Sequence, residues 1–328
     1  MKDRFIGCVI GQAVGDALGF PVEGYPTTVT ARAVADQIPS LRLHPSGAFP
    51  LGQYTDDTQM MRAILESLVE RKGVAPADIA ARFVSLWRDG TIVGRGQATT
   101  DAVVRLMHGI PWVESGTPAP RAGNGSAMRT APIGLFHCDD PSALAESAAN
   151  ISRITHADPR CLAGAVAISA AVAWNVKHNE LDTAAFLNFV ADLTRPYHIE
   201  TADLIARQLP VWLAGSESAA VAEIRRAGLP PDRQPDWPGI SPFVIPTILI
   251  ALFAFLRTPL HWIESLCWVI ALGGDVDTTG AITGAVSGAL NGIGAIPPGL
   301  ARQINDRGRY GYDYLSGLAE QLWELQAD

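Results

Sequence analysis

The apolar positions of this chain recur at helical spacing. Residues 60, 61, 64, 65, 68 and 69 follow Tyr54-Thr55-Asp56-Asp57-Thr58 and predict an amphipathic helix that Gly73 closes. The segment beginning at Pro76 predicts another amphipathic helix, and Gly94 to Thr100 reads as a flexible turn leading into a helix that begins at Asp101. Asp158 is placed to cap a long helix that opens at Pro159, where the missing N–H costs nothing. Alternating apolar–polar runs do not persist, and no repeat-array period emerges. The expectation is one all-α domain over residues 1–328, a multi-helix fold with several helix N-termini facing one cleft. Residues 25–53, with Pro26, Pro45 and Pro50, read as loop-rich. The proline-rich stretch 227–243 reads as a lid or a surface loop.

Two segments depart from simple amphipathicity. Gly7, Gly11, Gly15 and Gly19 are spaced by four, and Gly280, Gly284, Gly288 and Gly292 repeat that spacing. Each glycine inside a helix costs about 1 kcal/mol relative to alanine, so four on one ridge need compensation. Close approach of a second backbone along that ridge supplies it. Both segments are therefore expected deep in the core, each a candidate partner for the other.

Composition narrows the class. With 328 residues, 48% of them hydrophobic and 18% charged, the chain can bury a large core. A net charge of −8 and the absence of any Lys/Arg run disfavour a nucleic-acid groove. Cys8, Cys138, Cys161 and Cys267 lie far apart, which suggests free thiols in a reducing cytosol and not a zinc site or a disulfide framework. The apolar run Phe243–Leu256 contains Pro246 and is too short to span a bilayer. No signal-peptide pattern opens the chain, so a cytoplasmic location without a membrane partner is expected.

The chemistry concentrates in two acidic clusters. Gly273-Gly274-Asp275-Val276-Asp277-Thr278-Thr279 precedes the second glycine ridge, and Thr55-Asp56-Asp57-Thr58 stands at another helix start. Either cluster alone could be an ordinary helix cap. Around one cleft, however, Asp56, Asp57, Asp275 and Asp277 would crowd four negative charges with only Arg62 near them in sequence. Carboxylate and hydroxyl oxygens are hard ligands that suit Mg²⁺ or Mn²⁺, and two such ions would neutralise four carboxylates. Glu23 would add a surplus charge or a proton acceptor. Gly123-Asn124-Gly125-Ser126 could offer backbone N–H groups to a phosphate, or be a simple Asn-Gly turn. His156, just outside a helix mouth, reads as a turn residue or a ligand contact.

Taken in order, Gly15-Asp16-Ala17-Leu18-Gly19 with Glu23, Tyr54 to Thr58, Gly123 to Arg129, Thr155-His156 and Gly273 to Thr278 resemble the ADP-ribosylglycohydrolase family over nearly the whole chain. The resemblance implies an all-α fold with two divalent cations, Mg²⁺ or Mn²⁺, at the base of an ADP-ribose cleft. It implies Thr55, Asp56, Asp57, Asp275, Asp277 and Thr278 as metal ligands and Glu23 or Asp56 as the acid/base. Gly123, Asn124, Gly125, Ser126 and His156 would bind substrate. The implied reaction removes ADP-ribose from an ADP-ribosylated protein or other macromolecule by hydrolysis at the distal ribose. Val276 stands where the family usually has threonine. Gly94 stands where some members carry an aspartate used on arginine-linked substrates, and Asp89 is out of register. The alternative is a member that binds ADP-ribose or serves structurally without hydrolysing it. An isoprenoid synthase fits poorly, because Met60 occupies the last position of its D-D-x-x-D pattern.

Overall fold

The glycine ridges meet. In the computed structural model, which describes residues 1–40, 47–230 and 237–326, helices Lys2–Gly19 and Val276–Asn291 run antiparallel through the core. Gly7 faces Gly288, Gly11 faces Gly284 and Gly15 faces Gly280. A Cβ built on Gly11 or Gly15 would overlap the carbonyl oxygen of its partner glycine, and so would one on Gly284 or Gly288. Backbone contact along this ridge is the compensation that the glycine spacing requires. Trp262 braces the seam, its indole N–H donating to the Gly284 carbonyl at 3.0 Å.

Around this pair the remaining helices close the core. Helices Pro159–Lys177, Val244–Arg257 and Trp262–Ala271 pack on Val276–Asn291, while Tyr312–Glu324 packs on Lys2–Gly19. One cluster of buried apolar side chains runs from Phe5 to Leu322. Two helical segments, Lys2–Val22 and Pro159–Lys177, are long and apolar enough to cross a bilayer, yet 89% and 83% of their most apolar 18-residue windows are buried inside the protein. They are core helices. The architecture is all-α: among the described residues there are helices and isolated β-bridges but no strands.

The 25–53 segment is more ordered than its prolines suggest. Thr27–Ser40 is a helix that packs on Trp262–Ala271. Among its described side chains the buried ones are Thr30 and Val34, so hydrophobic spacing alone gives little signal. Hydrogen bonds supply the rest: the Thr27 and Thr30 hydroxyls donate to the Leu272 and Ala271 carbonyls at 2.8 and 2.9 Å. Part of the 227–243 stretch, residues 231–236, lies outside the described residues. Its remainder is tied down at Ile240, whose N–H donates to the Gly273 carbonyl at 2.9 Å and whose carbonyl accepts from Asp275 N–H at 2.9 Å.

Antiparallel packing has a positional consequence. The C-terminal end of the first helix and the N-terminal end of the second arrive at the same end of the core, with Gly19 pressed against Val276 and Asp277. The chain leaving Gly19 carries Glu23 past that end, and Gly24 N–H donates to the Gly274 carbonyl at 2.8 Å. The glycine ridge thus sets the distance between two acidic segments some 250 positions apart.

Candidate functional site

A cavity of about 330 Å³ opens where these helix ends meet. Asp56 and Asp57 reach it from the first turn of helix Asp56–Arg71, Asp275, Asp277 and Thr278 from the start of Val276–Asn291, and Glu23 from the turn after the first helix. Gly123, Asn124, Gly125 and His156 complete the opposite wall. Thr55 lies one layer behind, and Ser126 stays off the wall with its hydroxyl donated to the Cys161 carbonyl at 3.1 Å.

Capping does not account for the acidic residues. Helix Asp56–Arg71 is capped by Thr55, whose side chain accepts from Asp57 N–H at 3.4 Å, and by a carboxylate from elsewhere. That carboxylate is Asp16, fully buried in the glycine-ridged helix. It accepts from the N–H and hydroxyl of Thr55, both at 2.9 Å, and from the N–H and hydroxyl of Thr58 at 3.0 and 2.6 Å. A negative charge here also meets the positive end of the helix dipole. With the cap supplied by Asp16 and Thr55, Asp56 and Asp57 are left to face the cavity. Asp275 likewise occupies an N-cap position without capping. Its side chain instead accepts from the Asn124 amide at 2.5 Å.

Hydrogen bonds join the two acidic clusters. Thr278 Oγ1 donates to Asp57 Oδ2 at 3.4 Å, and Thr278 N–H donates to Asp277 Oδ1 at 2.8 Å. Glu23, Asp275 and Asp277 each present an oxygen within 4.8 Å of the others. Asp57 Oδ1 is buried without any hydrogen-bond partner. Among the described residues no lysine or arginine pairs with these carboxylates. Arg62 turns away, its guanidinium lying 3.7 Å from the centre of the Tyr310 ring.

The electrostatic consequence is uniform. Burial first, then mutual repulsion, raises the pKa of Asp56, Asp57 and Asp277 well above the ordinary carboxylate range. Burial raises Asp275 as well, against the pull of its Asn124 bond. Glu23 is pushed up to about 7 by burial, Asp275 and Asp16, and Asp16 to about 6 by burial despite its four donors. Oxygen donors in surplus, one of them orphaned, fit a hard divalent cation and no soft metal.

The neutral wall has its own logic. Arg129, fully buried, donates to the Gly125 carbonyl at 2.9 Å and to Thr155 Oγ1 at 2.6 Å. Thr155 Oγ1 lies 2.8 Å from His156 Nδ1. Burial and the nearby Arg129 charge push the His156 pKa down to about 3, so its ring is neutral. Gly125 must be glycine, because a Cβ there would sit 2.8 Å from His156 Cε1.

A model of the ADP-ribosylglycohydrolase family matches residues 1–328. The chain belongs to the ADP-ribosylglycohydrolase family. The ADP-ribosyl-[dinitrogen reductase] glycohydrolase of Rhodospirillum rubrum is 28% identical to it, over 93% of this chain and 91% of its own. The ADP-ribosylhydrolase ARH3 of Xenopus tropicalis is 27% identical over 90% and 89%. A solved structure described as an ADP-ribosylglycohydrolase-related protein complex superposes with a TM-score of 0.75 at 28% identity, covering 99% of this chain and 98% of that one.

Gly94 belongs to the same cavity. It lies on the cavity wall with φ +71°, and a Cβ there would stand 3.1 Å from Asp56 Oδ1. Asp89 lines a different cavity. Sequence reasoning missed several contributors. Asp16 had a signal, a lone carboxylate inside an apolar glycine-ridged helix. Arg129 had none, since a basic residue behind a glycine loop reads as surface. Arg95 and Trp237 also line the cavity from irregular segments whose geometry no periodicity encodes, and Thr99 joins them because the helix expected from Asp101 already begins at Gln97.

Proposed function

We propose that this protein is a divalent-metal-dependent hydrolase that releases ADP-ribose from an ADP-ribosylated macromolecule, cleaving the glycosidic bond at the distal ribose. The observation that carries the reading is the junction of the 55–58 and 275–278 segments around the orphaned Asp57 oxygen, at the base of a cavity whose other wall carries Gly123, Asn124, Gly125 and His156. The relatives named as acting on ADP-ribosylated proteins support the substrate class.

Asp56, Asp57, Asp275, Asp277, Thr278 and Thr55 would hold a pair of Mg²⁺ or Mn²⁺ ions. When bound, such ions supply Lewis acidity toward the ribose oxygens and the attacking water. The chain's own groups do the remainder. Asn124 fixes the Asp275 carboxylate, and is itself held by Thr247 Oγ1 at 3.0 Å. That makes Asn124 a positioning residue for the acidic wall as much as a substrate contact. Asp16 holds the helix that presents Asp56 and Asp57. Gly123 and Gly125 let substrate approach the backbone, with the neutral His156 ring beneath them.

Glu23 is our proton carrier. It is partly buried and stands beside Asp275 and Asp277 at the edge of the cavity. The glycosidic bond breaks through an oxocarbenium-like state that nearby carboxylates favour by charge; the leaving group takes up a proton and water adds to the ribose carbon. With Gly94 offering no acid, Glu23 and Asp56 are the groups left to move the leaving group's proton. A cytoplasmic location belongs to the same proposal, on the strength of four free cysteines.

The test is release of ADP-ribose from a panel of arginine-, serine- and nucleobase-linked substrates, with EDTA, Mg²⁺ or Mn²⁺. Asp56→Asn and Asp275→Ala should each lower turnover about a thousandfold, the effect of removing several kcal/mol of charge stabilisation. Full activity in either variant, or in excess EDTA, ends the metal-dependent mechanism. Tight ADP-ribose binding without turnover on any substrate selects the non-hydrolytic alternative.

A further inference from the structure

On the far side of helix Asp56–Arg71 lies a second cavity, of about 510 Å³, lined by Arg62, Arg82, Arg307 and Arg309 together with Glu66, Asp89, Asp306 and Tyr310. Its charges are unequally satisfied. Arg82 donates to Asp78, Glu66 and Glu70 at 2.7, 3.3 and 2.5 Å. Arg307 donates to the Thr91 carbonyl at 2.5 Å and to Asp306 at 3.4 Å. Asp306 also accepts from Gln53 and Gln59, and Glu66 from the Tyr314 hydroxyl. The buried carboxylates here are thus spoken for.

Arg62 is not. Its side chain is 7% exposed, and among the described residues its guanidinium makes no hydrogen bond. Nε and Nη1 are buried with no partner, the nearest carboxylate oxygen, from Glu66, lying 3.8 Å from Nε. The Tyr310 ring, 3.7 Å away, is its main contact. A buried cation held by a ring face and a distant carboxylate lacks the hydrogen bonds that normally offset desolvation. Asp89 also lines the cavity from its exposed side, but among the described residues no acceptor comes within hydrogen-bond distance of the Arg62 guanidinium. Arg309, exposed at the same ring with its guanidinium 5.0 Å from the Tyr310 centre, adds a second planar fork of N–H donors.

We propose that this cavity is a binding site for a small phosphate- or diphosphate-bearing anion, gripped by Arg62 and Arg309 about Tyr310. Guanidinium forks match phosphate oxygens in pairs, and a group that is desolvated before binding has less hydration to lose. The site is separate from the acidic cavity but wired to its wall. Thr91, whose carbonyl receives Arg307, begins the short segment in which Val93 accepts from Asp56 N–H at 2.8 Å. The proposal does not rest on the hydrolase reading, because its test measures binding without turnover.

Inorganic phosphate and pyrophosphate are titrated calorimetrically into the full chain in EDTA, where the carboxylate-lined cavity repels anions. Saturable one-to-one uptake of either is expected. Arg62→Met and Arg309→Ala should each weaken it about tenfold, the worth of one charge-assisted pair. Arg71→Ala, an arginine outside the cavity and paired with Asp78, should leave it unchanged. Melting curves of each variant show whether it is folded. No saturable uptake by the wild type, or equal uptake by the Arg62→Met/Arg309→Ala double variant, overturns the site.

Discussion

Helix Asp56–Arg71 separates two regions of opposite character. Before it, six carboxyl groups (Asp16, Glu23, Asp56, Asp57, Asp275 and Asp277) converge, and among the described residues no lysine or arginine forms an ion pair with them. Behind it, one buried arginine faces an aromatic ring with no hydrogen bond. In both regions a charge is held out of water by a framework that does not itself neutralise it. The difference lies in what does the holding. The acidic side is fixed chiefly by rigid backbone, the glycine ridge and the Gly24–Gly274 link, with one fully buried side chain, Asp16, tying the helix end to it. The arginine side is fixed by side chains, which can move. Uncompensated charge is therefore most strictly positioned where backbone meets backbone.

The sharpest way to break the contrast is to part the glycine ridge. Gly15→Ala places a methyl group on the Gly280 carbonyl, next to Asp16. We expect a loss of about 3 kcal/mol in urea unfolding, at the upper end of overpacking effects, and the loss of metal binding with it. An unchanged midpoint would mean that the seam tolerates separation.

The next effect is on chemistry alone. Glu23→Gln keeps the shape of the side chain and removes its proton exchange, so turnover should fall about a hundredfold while metal affinity falls far less. Equal losses in both would make Glu23 a ligand and not a proton carrier.

A pH titration then sharpens the acidic side. In EDTA the folded chain keeps Glu23 protonated up to about 7 and Asp16 up to about 6, against ordinary values of 4.5 and 3.8. The native state thus binds protons that the unfolded chain has already released. Its stability is full below the ordinary carboxylate range and declines as pH climbs through the raised values. The melting temperature in EDTA should be higher at about pH 5 than at about pH 8, and added Mn²⁺ should raise it most at the higher pH. A melting temperature that rises with pH would contradict the crowded-carboxylate picture.

The smallest effect belongs to the arginine side. Arg62→Met removes a buried charge that makes no hydrogen bond and keeps the apolar stem. We expect a change within about 1 kcal/mol, or a gain, since replacing poorly paired buried ions by apolar groups is often neutral. A loss of several kcal/mol would show that the Tyr310 contact is a principal support of the fold.

Sequence alone determined the all-α class, the two glycine ridges and both acidic clusters, because helical periodicity, glycine spacing and carboxylate density are local properties of the chain. It also supplied enough ordered matches to name the family. It could not find helix Thr27–Ser40, whose face is held by threonine hydroxyls and not by apolar spacing. Nor could it assign Asp16 as the cap of another helix, turn Arg62 away from the acids, or bring Arg129 beneath the glycine loop. Those are decisions of direction and distance between segments far apart in sequence. Only the packed core fixes them, because a side chain's partner depends on which backbone lies opposite, and that is set by the ridge where Gly11 meets Gly284.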